Sequence, residues 1–121
     1  MTRILVIGGG GMLGQKLAHR ISTQETFGAD AQVSLFDLSF PLDSAPGKKI
    51  VGNLTASGIA KSVAAQRPDV IFHLAAIVSG QAEKDFALGW DVNLMATWAL
   101  LNALRDEHEA SGGEYTPRLV F

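Results

Sequence analysis

The chain has 121 residues, the length of one domain, and is 47% hydrophobic and 18% charged, a balance that excludes intrinsic disorder. A formal net charge of −2 leaves no electrostatic footprint for nucleic acid or an anionic membrane. The lack of cysteine excludes disulfides, thiolate metal sites and cysteine nucleophiles, and suits a reducing cytoplasm.

At the N-terminus the apolar run is only Ile4 to Ile7. A secretion signal needs an apolar core of at least about 7 residues, and a membrane span roughly 20. The expectation is a soluble, cytoplasmic protein. Ile4–Ile7 is β-branched and bounded by glycine, as in a strand buried on both faces. Leu13, Leu17 and Ile21 then recur every four residues, predicting one face of a helix. Gln32–Phe36 predicts a second strand ending at Asp37. The prolines and glycine of Leu38–Gly47 predict a loop, and Lys49–Val51 a third strand. Thr55 stands where it can cap a helix carrying Ile59 and Val63, which must stop before Pro68. Val70–Leu74 predicts a fourth strand, apolar but for His73.

The longest helical signal runs from about Glu83 to Glu109, with Phe86, Trp90, Leu94, Thr97, Leu101 and Leu104 at three- and four-residue steps. After a loop, Arg118–Phe121 predicts a fifth strand. Apolar strands alternating with helices imply an α/β fold, a doubly wound parallel sheet of the Rossmann type in the order 3-2-1-4-5. That architecture continues past a fifth strand. Residues 1–121 therefore read as a dinucleotide-binding domain truncated at the fifth strand, the N-terminal part of a longer domain.

Between the first strand and helix lies Gly8-Gly9-Gly10-Gly11-Met12-Leu13-Gly14. Glycines are needed there for the tight turn, for close approach of backbone to a pyrophosphate, and for packing of helix on sheet. The helix start offers unpaired N–H groups and a positive dipole end to phosphates. Asp37, at the end of the second strand, can accept hydrogen bonds from both ribose hydroxyls and would repel a 2′-phosphate. Leu38, Ser39 and Phe40 bring no arginine, so NAD is favoured over NADP. Asn53, followed by Leu54 at the end of the third strand, carries an amide suited to an adenine edge or to a turn.

The glycine loop, Asp37, Gly52-Asn53-Leu54 and Phe72-His73-Leu74-Ala75-Ala76 together resemble the extended short-chain dehydrogenase/reductases, the NAD-dependent epimerase/dehydratase group. The resemblance spans essentially the whole chain. It implies that Leu74, Ala75 and Ala76 line the nicotinamide half of the cofactor cleft and that Asn93 reaches the cofactor side. It implies NAD contacts from Gly8, Gly11, Met12, Leu13, Gly14, Asp37, Asn53 and Leu54. Three positions depart from the pattern: Ile7 where threonine is usual, Asn53 where aspartate is commoner, and Ala96 in place of glycine before Thr97.

Within that family Ala75–Phe86 is similar to the D-erythronate dehydrogenases, which implies oxidation of the C2 hydroxyl of a small sugar acid, with Ser79 as a substrate contact. The alternatives are a nucleotide-sugar epimerase or dehydratase, and a non-catalytic NAD-binding protein of the same fold. The family resemblance also implies a homodimer through the helix spanning about 83–109. A catalytic tyrosine with a lysine four residues on is expected in such enzymes. The only tyrosine here is Tyr115, and position 119 is Leu119, so no catalytic residue is assigned within this chain. His73 reads as a core histidine rather than a base. Glu107, His108 and Glu109 are consecutive on a helix and point apart, unlike metal ligands.

Overall fold

The structure, a computed structural model, describes residues 1–75 and 84–121. Five parallel strands form one sheet: β1 (Arg3–Ile7), β2 (Gln32–Asp37), β3 (Lys48–Val51), β4 (Val70–His73) and β5 (Arg118–Val120). Their order is β3-β2-β1-β4-β5. This is the doubly wound Rossmann order that strand–helix alternation predicts. In register, Ile7 stands beside Phe36 on one side and His73 on the other, so β1 and β4 end level and β2 runs one residue further, to Asp37. The chain divides into two compact units. One comprises Met1–Gly52, Pro68–Leu74 and Pro117–Phe121, the other Asn53–Arg67 and Ala75–Thr116.

The first unit holds the whole sheet and helix α1 (Met12–Gln24). Ile4, Leu5, Val6 and Ile7 are all buried, as expected of a central strand. Ile4, Val6 and Leu35 form a core with Ala18, Ile21 and Ala45, and Leu17, Phe27, Val33, Phe72 and Leu74 pack around it. Burying each large side chain contributes about 1.5–3 kcal/mol. The buried face of α1 is Gly14, Ala18 and Ile21, one step round from the expected Leu13–Leu17–Ile21 face. Glycine and alanine let the helix axis come close to the sheet, and Leu13 is left 61% exposed.

His73, the last residue of β4, is buried, with its ring 5.7 Å from that of Phe121. Burial holds its pKa below the ordinary imidazole value, about 6.5, so the folded state favours the neutral ring. The unfolded chain then binds the extra proton first on acidification. The histidine's contribution to stability is complete above about pH 6.5 and is lost as pH falls through the lower folded value. We predict that the denaturation midpoint of the protein drops between pH 7 and pH 5, and that His73→Leu lessens the drop. An unchanged slope in the variant would place the acid sensitivity elsewhere.

The second unit contains α2 (Ile59–Ala65), α3 (Phe86–Gly89), a π-helical turn (Trp90–Met95) and α4 (Ala96–Ala110). Thr55 does not cap α2. The cap position is Gly58, with φ of 81° and no side-chain bond, while Thr55 turns back on Asn53 through its amide and hydroxyl. The expected long helix opens at Phe86, capped by Asp85, whose carboxylate accepts from the Leu88 amide at 3.1 Å. Glu83 lies outside the described residues. The π turn, in which the Ala96 amide bonds Asp91 five residues back, widens the helix midway.

Helix α4 packs on α2 and buries Ala96, Leu100, Ala103 and Leu104. Phe86, Trp90, Leu94, Trp98 and Leu101 form an apolar stripe along these helical turns, each at least 45% exposed, so among the described residues the stripe is not core. Arg67 donates to Glu107 at 2.8 Å and lies over the buried Tyr115 ring. The His108 ring nitrogen bonds the Tyr115 carbonyl at 2.7 Å. Among the described residues, no helix is long and apolar enough to cross a membrane.

Candidate functional site

The glycine loop leaves β1 through Gly8, whose φ of 85° is a left-handed conformation that favours glycine. The amides of Gly8 and Gly9 both donate to the Phe36 carbonyl, at 2.8 and 3.1 Å, tying the loop to the end of β2. One residue further along β2, Asp37 receives the next amide: Gly10 N–H donates to its Oδ2 at 2.9 Å. The Leu38 amide donates to Oδ1 at 2.7 Å. The half-buried carboxylate is thus held in one orientation by two backbone donors. Each oxygen keeps a further lone pair for another donor.

Helix α1 follows with Gly11 at its N-cap in extended conformation and with no side-chain cap. Among the described residues the first-turn amides therefore have no side-chain cap, and the positive end of the helix dipole can face an anion. The Met12 and Leu13 side chains flank this end and are exposed. Two glycines of the motif differ sharply. A Cβ on Gly14 would overlap the Gly8 carbonyl oxygen, whereas one on Gly11 would meet only that same oxygen at an ordinary 3.5 Å. Packing of helix on loop requires Gly14. Among the described residues, nothing stands in the way of a Cβ on Gly11.

Leu74 completes what the first unit contributes. It follows β4, and its amide donates to the Ile7 carbonyl at 2.8 Å, beside the start of the glycine loop. Gly52 bonds the Asp37 carbonyl at 3.0 Å, and Asn53 is the next residue. Asn53, Leu54, Ala75 and Asn93 belong to the second unit. The Asn53 amide oxygen accepts from the Thr55 amide at 3.0 Å and from its hydroxyl at 2.7 Å. This is the turn role for that residue, and it leaves the NH2 group as the donor to offer. Leu54 is buried. Asn93 lies in the π-helical turn, a feature common at functional sites. Ala76 and Ser79 fall outside the described residues.

The motif reading missed Gln15, the residue after the third glycine. Its amide bonds the Gly9 carbonyl, the Ser44 hydroxyl and the Ala45 amide. The available signal was a polar residue beside the buried face of α1, next to Gly14 and Ala18. Chemically, the arrangement joins an anion-accepting helix start to a fixed carboxylate that accepts hydroxyl donors.

Residues 4–121 match the family described as NAD dependent epimerase/dehydratase. A D-erythronate dehydrogenase of Cupriavidus necator is 38% identical over 126 residues, covering 98% of this chain and 37% of that protein. A second D-erythronate dehydrogenase, from Haemophilus influenzae, is 33% identical over 85% of this chain and 33% of its own length. The crystal structure described as a nucleoside-diphosphate-sugar epimerase from Agrobacterium tumefaciens superposes with a TM-score of 0.85 at 38% identity. It is matched by 99% of this chain, over 36% of its own. The chain thus spans about a third of the length of these relatives.

Proposed function

The chain belongs to the NAD dependent epimerase/dehydratase family, and from that we propose that it is the dinucleotide-binding part of a cytoplasmic NAD-dependent dehydrogenase acting on a small sugar acid. The observation that carries the cofactor assignment is the pairing of an uncapped α1 start with Asp37, which the Gly10 amide orients. A dinucleotide fits these residues. The open space at Gly11 suits a pyrophosphate, and the carboxylate has lone pairs for ribose hydroxyls.

In this reading Gly8, Gly11 and the amides of Met12, Leu13 and Gly14 hold the phosphates. Asp37 takes the ribose, and Asn53 offers its NH2 to the adenine beside Leu54. The family resemblance assigns Leu74, Ala75 and Ala76 to the nicotinamide half, Asn93 to the cofactor and Ser79 to a substrate hydroxyl. Bound NAD supplies a hydride acceptor for the substrate carbon. A second copy of the protein covers the stripe of Phe86, Trp90, Leu94, Trp98 and Leu101. Sedimentation of the whole protein is expected to give a dimer, and a monomer at micromolar concentration would refute that.

The names of the two curated relatives support D-erythronate as the substrate, oxidised at its C2 hydroxyl. The test is NADH formation by the full-length protein with D-erythronate and L-threonate. Turnover of an acid is the expected result. The second reading, a nucleotide-sugar epimerase, has the Agrobacterium structure at equal identity in its favour. Conversion of a UDP-hexose without turnover of either acid would select it.

A further inference from the structure

The geometry points to Gln15 as a positioning residue that sets the peptide on which Asp37 depends; this rests on the dinucleotide reading above. Its Nε2 donates to the Gly9 carbonyl at 2.7 Å and to the Ser44 hydroxyl at 3.1 Å. Its Oε1 accepts from the Ala45 amide at 2.7 Å. The amide thus uses both donors and one acceptor site, fastening the glycine loop to the segment between β2 and β3.

The Gly9 carbonyl and the Gly10 N–H are the two ends of one peptide plane. Gln15 grips the carbonyl end and Asp37 grips the amide end at 2.9 Å. A peptide is rigid about its C–N bond, so fixing one end fixes the other. Glycine brings no side chain of its own to fix that plane, so its setting rests on these two hydrogen bonds and on the close packing of Gly9 against Leu35 and of Gly10 against Ser39. With Gln15 in place, the Gly10 amide points at the carboxylate and holds Asp37 ready for a hydroxyl-bearing ribose. Without it, the carbonyl end of the plane loses its anchor, and the aim of the Gly10 amide, one of the two donors that orient Asp37, is relaxed. Gln15 touches neither ribose nor phosphate in this scheme and acts through the peptide.

This coupling separates the role from simple packing. If Gln15 acts through the Gly9–Gly10 peptide on Asp37, removing Asp37 removes most of what Gln15 contributes, and the two substitutions are non-additive. NAD dissociation constants of the full-length protein, from calorimetry, supply the cycle. Gln15→Met keeps the length and helix preference of the side chain and is expected to weaken NAD binding about tenfold, the scale of roughly one hydrogen bond. In an Asp37→Ala background the same change is expected to cost less than about twofold. Gln15→Glu keeps the acceptor for Ala45 but sets a carboxylate against the Gly9 carbonyl, and is expected to bind NAD no better than Gln15→Met. Binding within twofold of wild type in both Gln15 variants, or a full tenfold loss on top of Asp37→Ala, overturns the positioning role while leaving the cofactor assignment intact. A wild-type protein that binds no NAD overturns the cofactor assignment itself, and this role with it.

Discussion

Gly11→Val is expected to abolish measurable NAD binding, a loss of about 100-fold or more or ~2.7 kcal/mol, while the protein melts close to wild type. The reasoning is an asymmetry between two glycines of one motif. Gly11 sits at the N-cap with φ of −78° and ψ of 173°, an extended conformation that a β-branched residue adopts readily. An added Cβ would make only an ordinary contact with the Gly8 oxygen. The fold therefore has room for the added Cβ, and in the proposed NAD complex the branched side chain would take the space the pyrophosphate needs. Gly14→Ala is the contrasting variant. Its methyl overlaps the Gly8 carbonyl oxygen and comes within 2.7 Å of the Gly9 Cα, both backbone atoms that have little freedom to yield. Overpacking of that kind typically costs about 1–3 kcal/mol, so Gly14→Ala should lower the melting temperature before any question of ligand arises. Full NAD affinity in Gly11→Val would show that Gly11 faces no cofactor.

The second large effect is expected at Asp37. Asp37→Ala should weaken NAD binding by about 1–3 kcal/mol, the range for hydrogen bonds to a charged group, and should narrow the preference over NADP. The carboxylate is oriented by the Gly10 and Leu38 amides, so in the proposed NAD complex it would meet ribose hydroxyls without reorganising. The same fixed negative charge repels a 2′-phosphate, and Leu38, Ser39 and Phe40 provide no cation to offset it. Calorimetric titration of wild type and variant with both nucleotides checks this. A wild-type protein that binds NADP more tightly than NAD would contradict it.

The features legible in the sequence were those encoded by neighbouring residues. Ile4–Ile7 followed by four glycines marks a buried strand turning into a helix. The β-branched and apolar runs at Gln32–Phe36 and Val70–Leu74 mark two more strands. Right-handed crossovers then leave few orders for the sheet, and β3-β2-β1-β4-β5 is among them. Asp37 was legible because its place at the end of β2 follows from the length of that strand alone.

Other features depend on distances between parts of the chain far apart in sequence, and only the tertiary structure decided them. Which glycine the fold demands turns on how closely α1 approaches the Gly8 carbonyl. That same approach puts Gly14, Ala18 and Ile21 inside and leaves Leu13 exposed. The role of Gln15, a polar residue on a helix, depends on Ser44 and Ala45, some 30 residues away, coming within reach of its amide. Thr55 has the chemistry of a helix cap but bonds Asn53, because the helix begins only after a left-handed Gly58. Helical periodicity marked the Phe86–Leu101 stripe as apolar but carries no information on whether anything in the chain covers it. Period and composition are local properties and survive in the sequence. Close approach, capping choice and burial are set by where the backbone returns, and that is a property of the folded chain.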